Sequence, residues 1–206
     1  MAEAGRVARI YNRLAGTYDD TTHWAFLEGM RAALLRRARG TVLELGVGTG
    51  ATFAHYPPDL TRLVAVDASE GMLERARPKA AALRFPVELR RLDFQTLPFP
   101  DESFDTVVSS LGLCGIPRPA QLFAEIRRVL RPDGQLLAIE HIRPPNPVLG
   151  LLADAASPIN NHFVGCYLNR RTPDLLRAAG FDVQVGEQHL FRAVVALVAT
   201  PAGAAR

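Results

Sequence analysis

The sequence is poor in lysine, in cysteine and in long apolar runs. Its 24 basic residues include one lysine, Lys79, and the arginines are scattered rather than massed. The densest basic run, "RRAR" at Arg36–Arg39, reads as a solvated helix face, so the net charge of +3 points to no nucleic-acid partner. Two cysteines, Cys114 and Cys166, are too few for a disulfide framework and lack metal-site spacing. Each reads as a small buried residue without chemistry, a reducing cytoplasm is expected, and no metal site is. Apolar runs break within about eight residues, too short to span a bilayer, and "MAEAGRVARIYNRLAG" has no secretory pattern. What remains is ordinary globular material. The 206 residues, 48% hydrophobic and 22% charged, suit one domain around a single core.

Periodicity supplies the elements. Val7, Ile10, Tyr11 and Leu14 share one face of a helix over 5–16. Residues 21–39 read as a second helix capped at Thr21 or Thr22, so that 1–39 form a helical segment covering the functional site. "TVLEL", "RLVAVD", "VELRRLD", "FDTVVSS" and "GQLLAIEH" read as strands, separated by a helix capped at Ser69 and by the helix "PAQLFAEIRRVL". Residues 143–171 read as irregular, followed by a helix capped at Thr172. "FDVQVGEQ" and "LFRAVVALVA" close the chain as strands, and the tail "TPAGAAR" is expected to fray. Alternating strands and helices imply a doubly wound, Rossmann-like α/β fold. The last two strands are joined too closely for a parallel crossover, so the seven-stranded sheet should end in an antiparallel hairpin.

The chemistry concentrates at three successive strand ends. After the first strand comes Glu44-x-Gly46-x-Gly48-x-Gly50, glycines where a ligand must approach backbone. The spacing is not that of dinucleotide sites, and no Lys-Ser/Thr follows to hold a polyphosphate. Asp67 ends the second strand, where a carboxylate can accept from both hydroxyls of a ribose. Asp93 and Phe94 follow the third, an acceptor for an exocyclic amine beside an apolar ring that can pack on a base. Met72 stands where it can cover the other face.

These stretches, "VLELGVGTG", "VAVDASEGML", "LDFQTLPFPDESFDTVVSS" and "AEIRRVLRPDGQLLAIEH", resemble the class I S-adenosylmethionine-dependent methyltransferases, in the ubiquinone/menaquinone and small-molecule branch. The resemblance covers roughly residues 40–142. "AIEHIRPPNP" and Gly165–Arg170 resemble bacterial relatives of the alkyl-thiol methyltransferases. It implies S-adenosylmethionine as cofactor and S-adenosylhomocysteine as product, with Glu44, Gly46, Gly48, Asp67, Ala68, Met72, Asp93, Phe94 and Ser110 as cofactor-binding residues. Glu44 would face the cofactor's amino group, directly or through water.

Displacement at an activated methyl asks mainly for proximity and exclusion of water, and for a base only when the nucleophile arrives protonated. His141, ending "IEH", is the candidate base, and Tyr18 the candidate catalytic residue closing over the cofactor. Arg170 can hold an anion or form a surface ion pair. The expected partner is a small-molecule thiol, hydroxyl or amine. One alternative is a phospholipid or quinone met at a membrane surface, with Trp24, Phe26, Leu27 and Met30 resting on lipid. Another is a module that binds the cofactor without turnover.

Overall fold

The computed structural model describes residues 2–22 and 24–203. Its strands are β1 (Thr41–Leu45), β2 (Arg62–Asp67), β3 (Val87–Arg91), β4 (Phe104–Ser110), β5 (Leu130–His141), β6 (Phe181–His189) and β7 (Val194–Pro201). They form one sheet in the order β3-β2-β1-β4-β5-β7-β6. The first five are parallel, and β7 runs antiparallel to both β5 and β6. This is the doubly wound sheet with a terminal hairpin that the sequence implies.

Successive strand residues face opposite sides, and both sides are apolar. Val42, Leu63, Val108 and Leu137 enter one core, and Leu43, Val64, Val107 and Leu136 the other. The first core is covered by α3 (Ala25–Leu35) through Leu27, Met30 and Leu34, and by α4 (Glu70–Ala81) through Leu73 and Ala76. The second is covered by α5 (Pro119–Val129) through Leu122, Phe123 and Ile126, and by α7 (Thr172–Ala178) through Leu176. Each such buried Leu or Phe contributes about 1.5–3 kcal/mol.

Several expectations need correction. The single helix over 21–39 is two elements, α2 (Tyr18–Thr22) and α3, whose N-cap is Trp24 rather than a threonine. They dock on different surfaces: Asp19 of α2 binds the glycine loop, whereas α3 packs on the sheet. Leu27 and Met30 are therefore in the core and cannot rest on lipid. The segment read as irregular contains α6 (Pro147–Val164). Asn146 caps it by accepting from Val148 and Leu149 N–H, and Gly165 ends it at φ 78°. Thr172 lies inside α7, with Arg171 at the N-cap. β7 starts at Val194, because Leu190, Phe191 and Arg192 adopt positive φ and make the turn. Thr200 and Pro201 pair with β6 rather than fray; residues 204–206 of the tail lie outside the described residues.

Candidate active site

β1 and β4 are neighbours in the sheet, yet their crossovers run to opposite sides. A crevice opens at their carboxyl ends, the place where such sheets bind ligands. The glycine loop forms one wall. Gly46 and Val47 N–H both donate to Val66 O, at 2.9 and 3.0 Å, which fastens the loop to β2. Gly48 adopts φ +56°, and no atom lies within 4 Å of the position a Cβ would take. That space is the cleft, of about 730 Å³, lined also by Gly46, Asp67, Ala68, Met72, Asp93, Phe94 and Ser110. Eight of the nine residues named for the cofactor therefore line one cavity.

Asp67 organises the cleft as well as facing it. Its Oδ2 accepts from Gly48 N–H at 2.9 Å and its Oδ1 from Ser69 N–H at 2.8 Å, leaving a lone pair on each oxygen. Burial pushes its carboxyl pKa up, and these backbone donors oppose that shift. Asp93 lies two residues beyond the end of β3, exposed, accepting from Gln95 Nε2 at 3.3 Å. Phe94 floors the cleft beneath Gly46.

Glu44 is the ninth, and it lies elsewhere. It is 1% exposed beneath the loop, where Oε1 accepts from Thr52 Oγ1 at 2.7 Å and Oε2 from Tyr56 OH at 3.0 Å. Burial pushes its pKa up to about 7 against these two hydrogen bonds. Between the ordinary 4.5 and about 7, the folded protein keeps a proton that the unfolded chain has lost. Stability attributable to Glu44 is thus present below pH 4.5 and falls as pH rises to 7. Glu44→Gln removes this dependence. Urea unfolding at pH 5 and pH 8 should show the wild type losing about 2–3 kcal/mol relative to the variant. Equal losses in both proteins would refute the assignment.

The N-terminal helices roof the cleft. Val7, Ala8 and Tyr11 of α1 (Ala2–Leu14) and Tyr18 of α2 line it. Asn12 Oδ1 accepts from Ser69 Oγ at 2.6 Å and Gly71 N–H at 3.0 Å, tying α1 to the start of α4. Asp19 accepts from Thr49 Oγ1 of the glycine loop and from Lys79 at 3.1 Å. Tyr11 and Tyr18 meet edge to face at 5.9 Å. Burial pushes the Tyr18 phenol up to about 12, so near neutral pH it stays a neutral donor and not a base.

Beyond the tyrosines is a second cavity of about 680 Å³, lined by Trp24, Phe26, Leu27, Cys114, His141, Val164 and Cys166 among others. Tyr11, Tyr18 and Leu111 line both spaces, so the two cavities meet there. His141 and Tyr18, the two catalytic candidates, are both at this junction or beyond it. Cys114 and Cys166, far apart in sequence, meet in the fold: their sulfurs are 2.9 Å apart. Arg170 donates to Ile116 O and lies over the Tyr167 ring, which holds the backbone next to Cys114.

Two supporting groups escaped the sequence reading. Glu140, fully buried, accepts from Ser109 Oγ and from Gly112, Leu113 and Cys114 N–H at 2.9–3.2 Å, which shapes the turn after β4. Its signal was an acid inside the apolar run "LLAIEH". Arg31 reaches Ser110 Oγ at 3.3 Å and Glu28 at 2.5 Å, and Glu28 in turn meets His55 at 2.8 Å. Its signal was a charge on the core-facing stripe of α3.

Removing the carboxylate should be costly. Asp67→Ala loses two loop contacts together with any bond to a ribose, each typically about 1.5–3 kcal/mol. S-adenosylhomocysteine affinity should drop by about 30-fold or more, with a smaller drop for Asp67→Asn. Wild-type affinity in Asp67→Ala by calorimetry would remove this residue from the site.

A family profile described as a methyltransferase domain matches residues 43–138. The chain is 32% identical to a demethylmenaquinone methyltransferase of Clavibacter sepedonicus, over 94% of this chain and 89% of that one. It is 33% identical to the thiol S-methyltransferase TMT1B of Rattus norvegicus over 70% of this chain, but spans only 62% of the rat protein. Among solved structures, a DhpI complex with S-adenosylhomocysteine superposes with a TM-score of 0.67 at 21% identity, covering 97% of each chain. The glycine crevice, the sheet order and these likenesses agree, and the chain belongs to the class I S-adenosylmethionine-dependent methyltransferases of the small-molecule branch.

Proposed function

We propose that this enzyme methylates a thiol or hydroxyl on an apolar small molecule, with S-adenosylmethionine in the glycine-loop cleft and the acceptor in the cavity beside His141. The observation that carries the reading is the shared wall of Tyr11, Tyr18 and Leu111 between a polar-rimmed cleft and an apolar pocket. Residues 1–206 act in this proposal as one catalytic unit, with α1 and α2 roofing the site. Free thiols suit a reducing compartment such as the cytoplasm.

The cleft fits the cofactor chemically. Gly48 leaves open the space a Cβ would fill, the lone pairs of Asp67 suit a diol, and Phe94 with Met72 suits a flat base. Gly46, Gly48, Asp67, Ala68, Met72, Asp93, Phe94 and Ser110 would hold it. Glu44 would act from beneath, by fixing the loop through Thr52. When bound, the cofactor supplies a methyl group already activated on a sulfonium. The chain's own residues then orient and dehydrate. Tyr11 and Tyr18 close the roof, the apolar lining excludes water, and His141 takes the proton from the acceptor.

A second reading rests on a specific surface. Val148, Leu151, Leu152, Ile159 and Phe163 point outward from α6, and Trp24 is exposed at the pocket mouth. Such a face suits an acceptor dissolved in lipid, as does the demethylmenaquinone methyltransferase relative. Among the described residues no helix is long and apolar enough to cross a membrane. Release of S-adenosylhomocysteine should be measured across thiols, phenols, amines, quinols and phospholipid vesicles. Soluble apolar thiols or phenols should be turned over fastest. Turnover confined to vesicle-borne acceptors would establish the second reading, and cofactor binding with no turnover at all would overturn both.

A further inference from the structure

The chain's two cysteines are 52 positions apart in sequence and 2.9 Å apart in the fold, and both are free thiols. Nothing in methyl transfer as derived above requires this. Their backbones are held together independently of the sulfurs. Tyr167 N–H donates to Cys114 O at 3.2 Å, Asn160 Nδ2 to Cys166 O at 2.7 Å, and Arg170 to Ile116 O. Glu140 fixes Cys114 from below by accepting its N–H at 3.1 Å. Gly115 and Gly165 let the two segments touch: a Cβ on Gly115 would stand 2.6 Å from Gly165 O.

The two sulfurs are not equivalent. Cys114 is 3% exposed, whereas Cys166 is half-buried and lines the acceptor cavity beside His141. The thiol of Cys166 is held below its ordinary range by the hydrogen bond it shares with Cys114, and then by His141 and Arg170, against the effect of burial. Cys114 is pushed the other way by that same hydrogen bond and by burial. A reachable thiolate next to a protonated thiol is the arrangement of an attacking and a resolving cysteine.

We propose that Cys166 and Cys114 form a reversible disulfide in response to peroxide, and that this bond slows turnover by replacing the thiol beside His141 in the acceptor pocket while cofactor binding persists. The Cys166 sulfur attacks one peroxide oxygen, the O–O bond breaks, and the departing hydroxide takes up a proton as water. The resulting sulfenic acid is then attacked by the Cys114 sulfur. The S–O bond breaks, the S–S bond forms, and the oxygen leaves as a second water with the Cys114 proton. Two thiols lose two electrons in all, and one peroxide becomes two waters. A disulfide spans about 2.05 Å, so the sulfurs need to close by less than about 1 Å. His141 then faces a neutral disulfide instead of a thiolate. The cofactor cleft keeps its side chains, since it is lined by Gly115 but by neither cysteine.

The statement about the acceptor pocket rests on the proposed function; the disulfide itself does not. The 206-residue protein is treated with stoichiometric hydrogen peroxide, alkylated with N-ethylmaleimide and analysed by intact and peptide mass. We expect a loss of 2 Da, a Cys114–Cys166 linked peptide, and return of both thiols with dithiothreitol. Cys114→Ser should instead accumulate a dimedone-reactive Cys166. Two alkylatable thiols after treatment, or dimers linked between chains, would overturn the pair. In parallel, oxidised protein should bind S-adenosylhomocysteine as before while turnover of a working acceptor falls at least about 10-fold. A disulfide that forms without slowing turnover would overturn the effect on the acceptor pocket. If the reduced protein turns over no acceptor, the functional reading fails, and the mass measurement still decides on the disulfide.

Discussion

Gly48→Val should weaken binding of S-adenosylmethionine and S-adenosylhomocysteine by at least about 100-fold, or about 2.7 kcal/mol, in a protein that still folds. Two effects act in the same direction. Gly48 holds φ +56°, a region that a β-branched residue enters only at a cost of about 1–3 kcal/mol. The added side chain also projects into empty space that belongs to the cleft and not to the core. The fold should survive for that same reason, since no neighbouring atom is displaced. Gly50 behaves differently: a Cβ there would lie 2.8 Å from the Phe53 ring, so substitution disturbs packing first. Calorimetry together with a thermal melt separates the two. Normal affinity in a folded Gly48→Val protein would show the loop to be a turn and nothing more.

His141→Gln should lower kcat/KM by roughly 100-fold on an acceptor that arrives protonated, with cofactor affinity nearly unchanged. His141 ends β5 and lines the apolar cavity, whereas the glycine loop and Asp67 line the cleft. The loss should shrink as pH approaches the acceptor's own pKa, because an ionised nucleophile needs no base. Since His141 also hydrogen-bonds Cys166, the variant should make that thiol less acidic, read as slower alkylation at fixed pH. A merely structural histidine would lower thermal stability and leave the pH–rate profile with the same shape. Parallel profiles for wild type and variant would exclude the base.

Much of this was legible in the sequence, for a physical reason. Glycine spacing, an acid at the end of β2, and apolar strands separated by turns are local patterns, and the crevice is assembled from strand ends in sequence order. Residues whose role depends on what packs above them were not legible. Glu44 stands at the head of the glycine motif, yet it is sealed under the loop by Thr52 and Tyr56. The Cys114–Cys166 pair depends on the path of α6, and α6 itself read as irregular. Its pattern is inverted: Gly150 and Ser157 face inward while Leu151, Leu152 and Phe163 face out, and Pro158 interrupts the interior. A search for a buried apolar stripe passes over such a helix. Trp24, Phe26, Leu27 and Met30 are close in sequence, but Trp24 is exposed, whereas Leu27 and Met30 enter the core.

Donor and acceptor should meet at the wall of Tyr11, Tyr18 and Leu111. A crystal structure of the protein with S-adenosylhomocysteine decides this. We expect the ribose on Asp67, the base beside Phe94, and the thioether sulfur at Tyr18 and Leu111, opening toward His141. A thioether facing bulk solvent, or separated from the His141 cavity by ordered protein, would contradict it.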